Sequence, residues 1–516
     1  MSQLFNRLLS RPEPGHLAIG EEDTQWTLAE LREKAIRLAS ALQQQGIQPG
    51  DRVALMFMNQ KEFLVSFFAV LYAGGVVVPV NITLPPEDLI YVYLDSGSKL
   101  MLTTAAFSEA LAGKPLNILM ANQLAAQAHY PAWETAIAQG NPAFEKVAYG
   151  DDNTLRVLMY TSGTTGKPKG VMLSEQNLMS NLDGIAPIIQ FTQSERLLLA
   201  LPLFHAYGLI IGLYALDVQA PIFLVPNFAP KKILQTLSEN QITVLPLVPT
   251  MFGVLLQSLA KTGTAPFQSL RLCVSGGASL PETLLRQIER SLKLTVVEGY
   301  GLTETSPVLA VNNPKTGSIP KSVGKPLANV SIKLVDAAGN TLSWQPGQPS
   351  AEGEILAKGP NIMQGYYNRP QETSEAFDAE GYFRTGDLGS FDAEGNLYIS
   401  GGRKKDLIIK AGENIAPVRI ESVLYDHPAV LGAAVFGVPD EKLGEDIIAC
   451  VELKPGQETA VNASELKKYC LQKLPAFMVP SEIKICDTLP KNQSGKIMKA
   501  ELKDTYLQQQ ALKINA

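Results

Sequence analysis

A chain of 516 residues exceeds the roughly 250–300 residues at which one hydrophobic core stops growing, so two or three domains are expected. Hydrophobic residues at 46% and charged residues at 18% describe an ordinary globular protein, and a formal net charge of −6 offers no bulk attraction to phosphate backbones. Nucleic acid is therefore not expected as a partner. The scattered cysteines Cys273, Cys450, Cys470 and Cys486 form neither a disulfide framework nor a metal-ligand spacing, which suits a reducing cytoplasm.

The chain opens on Met1-Ser2-Gln3-Leu4-Phe5-Asn6-Arg7, without an apolar signal core, and no export is expected. Phe63 to Val80 is apolar over 18 residues except for Ser66 and Tyr72, close to the minimum for a membrane span. Gly74-Gly75 and Pro79 interrupt it, so a buried helix, a glycine turn and a strand at Val76-Val77-Val78 are expected instead. Peripheral membrane contact is left open. Further on, Leu155–Met159 reads as a buried strand. Ile242–Leu245 reads as a strand, Met251–Leu259 as a helix and Leu270–Val274 as a strand. A helix opening at Ser279-Leu280-Pro281-Glu282 has capping-box spacing and an early proline, and Thr295-Val296-Val297 follows as a strand. Such alternation implies parallel sheets with helices on both faces and ligands outside the carboxyl ends of the strands.

After about Gly301 short strands and Gly/Pro turns take over: Ser331–Val335, Gly353–Ala357 and Leu397–Ile399. The last segment carries strands at Ala433–Val438 and Ile447–Leu453 and a helix opening at Asn462-Ala463-Ser464-Glu465. The expected fold class is α/β: a large N-terminal domain of doubly wound parallel sheets over residues 1–402, with a β-rich subdomain at about 302–402, and a small mobile α+β C-terminal domain over 403–516.

The strongest local signal follows Met159: Tyr160-Thr161-Ser162-Gly163-Thr164-Thr165-Gly166-Lys167-Pro168-Lys169-Gly170. Glycines let backbone N–H groups approach a ligand closely, and the hydroxyls and lysines add donors and positive charge, which suits a triphosphate. It is not a Walker A loop, because the Gly163-x-x-Gly166-Lys167 spacing is wrong and Pro168 replaces the Mg²⁺-binding hydroxyl residue. The segment resembles the signature loop of the acyl-adenylate-forming superfamily. Four further motifs with family counterparts follow in the same order: Glu298-Gly299-Tyr300-Gly301-Leu302-Thr303-Glu304-Thr305, Phe383-Arg384-Thr385-Gly386-Asp387, Gly402-Arg403-Lys404-Lys405-Asp406 and Pro490-Lys491-Asn492-Gln493-Ser494-Gly495-Lys496. The resemblance covers roughly residues 12 to 500 and is closest to bacterial fatty acyl-CoA ligases.

What the resemblance implies is an ATP-dependent acid:thiol ligase. A carboxylate, of a fatty acid of medium or long chain in the first instance, attacks the α-phosphorus of ATP, and the acyl-adenylate then passes to a thiol. Thr161, Ser162, Gly163, Thr164, Thr165, Gly166 and Lys167 would cradle the phosphates. Tyr300 would stack on adenine beside Gly276 and Gly277, within the Glu298–Gly301 segment. Thr303 would touch the α-phosphate, and Glu304 with Thr161 would hold Mg²⁺, a hard cation that prefers oxygen. Asp387 would accept from the ribose hydroxyls, and Arg403 would reach the ribose or phosphates. Lys496 would bridge the substrate carboxylate and the α-phosphate, where charge builds. Lys405 would be the hinge, and Gly412 would leave room for a pantetheine arm. CoA is the expected acceptor, with an acyl carrier protein's phosphopantetheine as the alternative.

Leu201-Pro202-Leu203-Phe204-His205-Ala206-Tyr207-Gly208 resembles the acyl-pocket motif of the same enzymes. By the same resemblance His205 would stand at the catalytic site near the reacting carboxylate, where amino-acid-activating relatives carry an Asp, which disfavours an ammonium-bearing acid. An aryl acid remains an alternative. The apolar runs Leu209–Leu216, Leu247-Val248 and Met251-Phe252 fit either an acyl tunnel or plain core.

Overall fold

The computed structural model describes residues 3–10, 15–21, 24–104, 107, 117–121, 132–145, 147–161, 167–262, 267–403, 407–410, 413–440, 443–457, 461–492 and 496–514. Two large sheets carry the N-terminal region. The first has seven strands in the order Gly365–Tyr366, Lys169–Ser174, Leu155–Thr161, Val76–Pro79, Arg52–Met56, Ser98–Thr104, Ile118–Ala121. The second has nine, running Lys325–Pro326, Val308–Val311, Thr295–Gly301, Leu272–Ser275, Val244–Leu247, Leu197–Leu199, Ile222–Leu224, Leu17–Glu21, Thr24–Thr27.

The inner strands of both sheets pair in parallel, as their unbroken apolar sequences require. The helix Lys61–Tyr72 is buried along nearly its whole length, and a turn at Gly74, whose φ of +79° favours glycine, leads into the fully buried strand Val76–Pro79. Phe63 to Val80 is thus core, and among the described residues no helix is long and apolar enough to cross a membrane.

Three expectations shift. Leu155–Thr161 turns back antiparallel into Lys169–Ser174, so the glycine-rich segment joins two strands of one hairpin. The helix expected at Ser279 begins at Glu282 with Pro281 as its N-cap and no side-chain cap bond. The backbone N–H of Leu280 is instead taken by Glu298. Third, the residues just past Gly301 do not leave the second sheet, because Val308–Val311 and Lys325–Pro326 extend it antiparallel.

An antiparallel five-stranded sheet then forms from Thr341–Leu342, Ser331–Val335, Gly353–Lys358, Phe383–Phe391 and Leu397–Arg403. From Ile408 onward the chain builds another sheet, with Gly444–Leu453 at its centre, paired along its length with Val430–Asp440 and Glu482–Cys486, around an apolar cluster of its own. The helix Ala463–Lys473 starts on a capping box in which Asn462 and Glu465 satisfy each other's backbone N–H groups.

Candidate active site

The carboxyl ends of the second sheet are in register: Leu247 pairs with Ser275, and Ser275 with Glu298. Past these ends the chain supplies Gly276-Gly277 and Tyr300. Gly277 has φ +77°, and a Cβ on Gly276 would lie 3.2 Å from the Tyr207 ring, so both positions suit glycine. The Tyr207 hydroxyl donates to Val274 O at 3.0 Å.

Glu298 is buried at 5% exposure. Burial pushes its carboxyl up to about 8, against the opposing effect of the Leu280 N–H that it accepts at 2.9 Å. Tyr300 Oη donates to Asp387 Oδ2 at 2.6 Å, joining the second sheet to the five-stranded one. Asp387 also faces Arg403 in strand register, which places two expected ribose-side positions on neighbouring strands.

Thr303 and Glu304 sit in a short 3-10 turn, Thr303–Thr305. Glu304 is buried at 9% exposure and accepts from Tyr366 Oη at 2.9 Å. Tyr366 comes from the two-residue strand beside Lys169–Ser174, and Lys169 Nζ lies 5.5 Å from its ring. Thr161 pairs with Lys169 at the mouth of the hairpin. Carboxylate and hydroxyl oxygens from Glu304 and Thr161 are the donor types that Mg²⁺ takes. Lys167 is exposed, with Nζ 4.9 Å from the Tyr91 ring. Nearby, Asp95 accepts from Tyr160 Oη at 2.7 Å and from Arg369 at 3.1 Å. Ser162, Gly163, Thr164, Thr165, Gly166, Lys405 and Gly412 lie outside the described residues.

His205 is the N-cap residue of the helix Ala206–Asp217. Its ring is half-buried against Phe204 at 4.7 Å, while Nε2 is covered and has no hydrogen-bond partner among the described residues. Burial pushes the imidazole down to about 4, so it is neutral near pH 7. Leu209–Leu216 is buried throughout and belongs to the core, as does Phe252, whereas Met251 lines a pocket. That pocket holds about 400 Å³, with Met58, Ile82, Pro202, Phe204, Phe228 and Met251 among its walls. Lys491 and Asn492 close one side.

They belong to the segment that carries Lys496, whose ends are joined by a bridge between Lys491 and Ile497. Asn492 Oδ1 accepts from Lys496 N at 2.9 Å, and Lys491 Nζ pairs with Glu452 at 2.7 Å. Lys496 itself is exposed.

Sequence reasoning missed Asn59, Asp95, Tyr366 and Arg369, each of which binds a site segment from a distant part of the chain. The only local signal was a pair of amides, Asn59-Gln60, separated by two residues from the end of a buried strand.

Comparison with known proteins agrees with this geometry. Residues 9–367 match the AMP-binding enzyme family, and residues 419–496 match the AMP-binding enzyme C-terminal domain. The chain is 34% identical to feruloyl-CoA synthase of Amycolatopsis over 96% of its length and 97% of the relative's. It is 34% identical to oxalate–CoA ligase of Arabidopsis thaliana, covering 93% and 94% of the two chains. Identity is 32% with long-chain-fatty-acid–CoA ligase of Bacillus subtilis, over 95% and 91%.

Among solved structures, ATP-bound MatB from Rhodopseudomonas palustris superposes with a TM-score of 0.87 at 32% identity, over 98% of this chain and 99% of that one. The O-succinylbenzoate coenzyme A synthetase MenE from Bacillus subtilis, with ATP and magnesium ion, gives 0.82 at 31%, over 98% and 99%. The chain belongs to the AMP-binding, acyl-adenylate-forming enzyme family and is an ATP-using, AMP-forming acid–CoA ligase of the acyl-CoA synthetase class.

Proposed function

We propose that this ligase activates a monocarboxylic acid with an apolar body, aromatic or aliphatic, and transfers it to CoA. The observation that carries the reading is the placement of Lys491 and Asn492, the latter bonded to Lys496 N, in the wall of the largely apolar pocket that Phe204 also lines. The names of the relatives span three unlike acids, so they do not single out a fatty acid. Two features of the chain narrow the choice. Neutral His205 offers no anion to an ammonium group. Lys491, the charged residue among those lining the pocket, is already paired with Glu452, which leaves a second substrate carboxylate no unpaired cation there.

In the first half-reaction a carboxylate oxygen attacks the α-phosphorus. The bond from that phosphorus to the bridging oxygen breaks, and pyrophosphate leaves. Tyr300, with Gly276, Gly277 and the Glu298–Gly301 strand end, receives the adenine. Asp387 and Arg403 take the ribose side. The Thr161–Lys167 segment holds the phosphates, and Thr303 meets the α-phosphate. Glu304 and Thr161 would hold Mg²⁺, which offsets phosphate charge when bound. Lys496 supplies positive charge where the pentacoordinate phosphorus builds negative charge. In the second half-reaction a thiol sulfur attacks the acyl carbon, the acyl–phosphate bond breaks and AMP leaves. A turn of the 403–516 domain about Lys405 would withdraw Lys496 and bring Gly412 to the thiol path.

Thioester formation, followed by mass spectrometry over aliphatic acids of rising length, benzoate, cinnamate and oxalate, tests the acid. Product confined to apolar monoacids supports the reading, and oxalate as best substrate overturns it. Replacing CoA by a phosphopantetheinylated carrier protein tests the acceptor. A variant separates the half-reactions: Gly412→Leu keeps ATP–pyrophosphate exchange and loses thioester, and equal loss of both contradicts the assignment of Gly412.

A further inference from the structure

Asn59 lies between the strand Arg52–Met56 of the first sheet and the helix Lys61–Tyr72, at 2% exposure. Its amide nitrogen donates to Leu201 O at 2.6 Å and to Leu199 O at 3.4 Å, and its amide oxygen accepts from Leu203 N at 2.7 Å. One side chain from the first sheet thus grips the chain as it leaves the strand Leu197–Leu199 of the second. Only a side-chain amide presents two donors and an acceptor at this reach. The gripped segment leads directly into the site. Pro202 O accepts from His205 N at 3.1 Å, and Gly208 sits so close to Pro202 O that a Cβ there would collide with it. Tyr207, between them, is pinned by its hydroxyl to Val274 O and faces Gly276.

We propose that Asn59 is a positioning residue for acid activation, which fixes Leu201–Leu203 and through that tightly wound segment sets where His205 and Tyr207 stand. Without the amide, the Leu201 carbonyl and the Leu203 N–H lose buried partners and the segment moves to find others. Small displacements at a reacting centre are costly, because the carboxylate must meet the α-phosphorus in line.

The inference rests on the acid-activation reading. Wild-type enzyme that shows no exchange with any acid fails that reading, whereas the Asn59 assignment fails only in enzyme that works. The test is a double-mutant cycle in acid-dependent ATP–pyrophosphate exchange, with Asn59→Ala, His205→Ala and the pair. Asn59→Ala should lower kcat/KM for the acid on the order of 10- to 100-fold. The loss in the pair should fall well short of the two single losses combined, because residues acting through one another are non-additive. The KM for ATP should change much less than kcat/KM for the acid, since the adenine side is reached only indirectly, through Tyr207 and Gly276. Additive losses, or an equal loss toward ATP, would overturn the proposal. If Asn59→Ala does not fold, Asn59→Asp, of nearly equal volume but without the donor, is put through the same cycle with the same expectations. Gly208→Ala, which pushes on Pro202 from the other side, should reproduce the acid-specific defect, and wild-type kinetics in that variant would also overturn it.

Discussion

Tyr300 Oη donates to Asp387 Oδ2 at 2.6 Å across 87 residues of sequence. The bond fixes the carboxylate proposed to receive the ribose with a side chain proposed to stack on adenine, so the two halves of the nucleoside site are set by one contact. Tyr300→Phe keeps the ring and removes the donor. A hydrogen bond to a charged acceptor contributes about 1.5–3 kcal/mol, so the KM for ATP should rise roughly tenfold with less change in kcat. Initial-rate kinetics at saturating acid check this, and an unchanged KM refutes the shared role.

Glu298 gives the protein a pH dependence of known sign. Its folded carboxyl titrates at about 8 rather than at the ordinary 4.5, because it is buried. Between those values the folded state holds a proton that the unfolded state has released, so the carboxyl's contribution to stability falls as pH rises through that window. Glu298→Gln removes the titrating group. The stability of the variant relative to wild type should therefore climb between about pH 5 and 8, as read by denaturant titration at several pH values. A constant difference would show that Glu298 is ionised throughout.

Arg156 and Glu175 form an ion pair at 3.2 Å with both residues at 1% exposure, and Glu175 also accepts from the backbone N–H groups of Gln3 and Leu4. Removing one partner strands the other charge in the core. Glu175→Ala should lower unfolding free energy by about 3–5 kcal/mol. Chemical denaturation measures it, and a loss well under 1 kcal/mol would mean that water reaches the unpaired guanidinium.

Tyr366→Phe removes the hydroxyl that holds Glu304 Oε1. Loss of an outer partner of a metal-binding carboxylate typically costs 10- to 100-fold in metal affinity, so the Mg²⁺ concentration for half-maximal exchange should rise while the melting temperature changes little. A Mg²⁺ titration of the variant that overlays wild type would contradict the pairing.

The fold was largely legible because burial dictates it. Phe63–Val80 reads correctly since an apolar helix, a glycine turn and a β-branched strand leave the chain few alternatives. Asn462 and Glu465 announce their helix through a local bond. The hairpin at Thr161 did not read, because its hydroxyl and glycine residues favour turns and the pairing with Lys169–Ser174 is tertiary. The candidate site was read from the places where glycines and charges cluster in sequence. Asn59 and Tyr366 escaped notice since each acts alone on a partner far along the chain, Leu201 in one case and Glu304 in the other.

Acid-dependent ATP–pyrophosphate exchange in Lys496→Ala, beside wild type and with no thiol present, tests the central claim most directly. Lys496 is exposed, so the variant should fold and bind ATP normally. Wild type should exchange with an apolar monoacid and require Mg²⁺, and the variant should lose about 100- to 1,000-fold of that rate. Exchange that is undiminished in the variant, or absent for every acid in wild-type protein that binds ATP, would contradict the account.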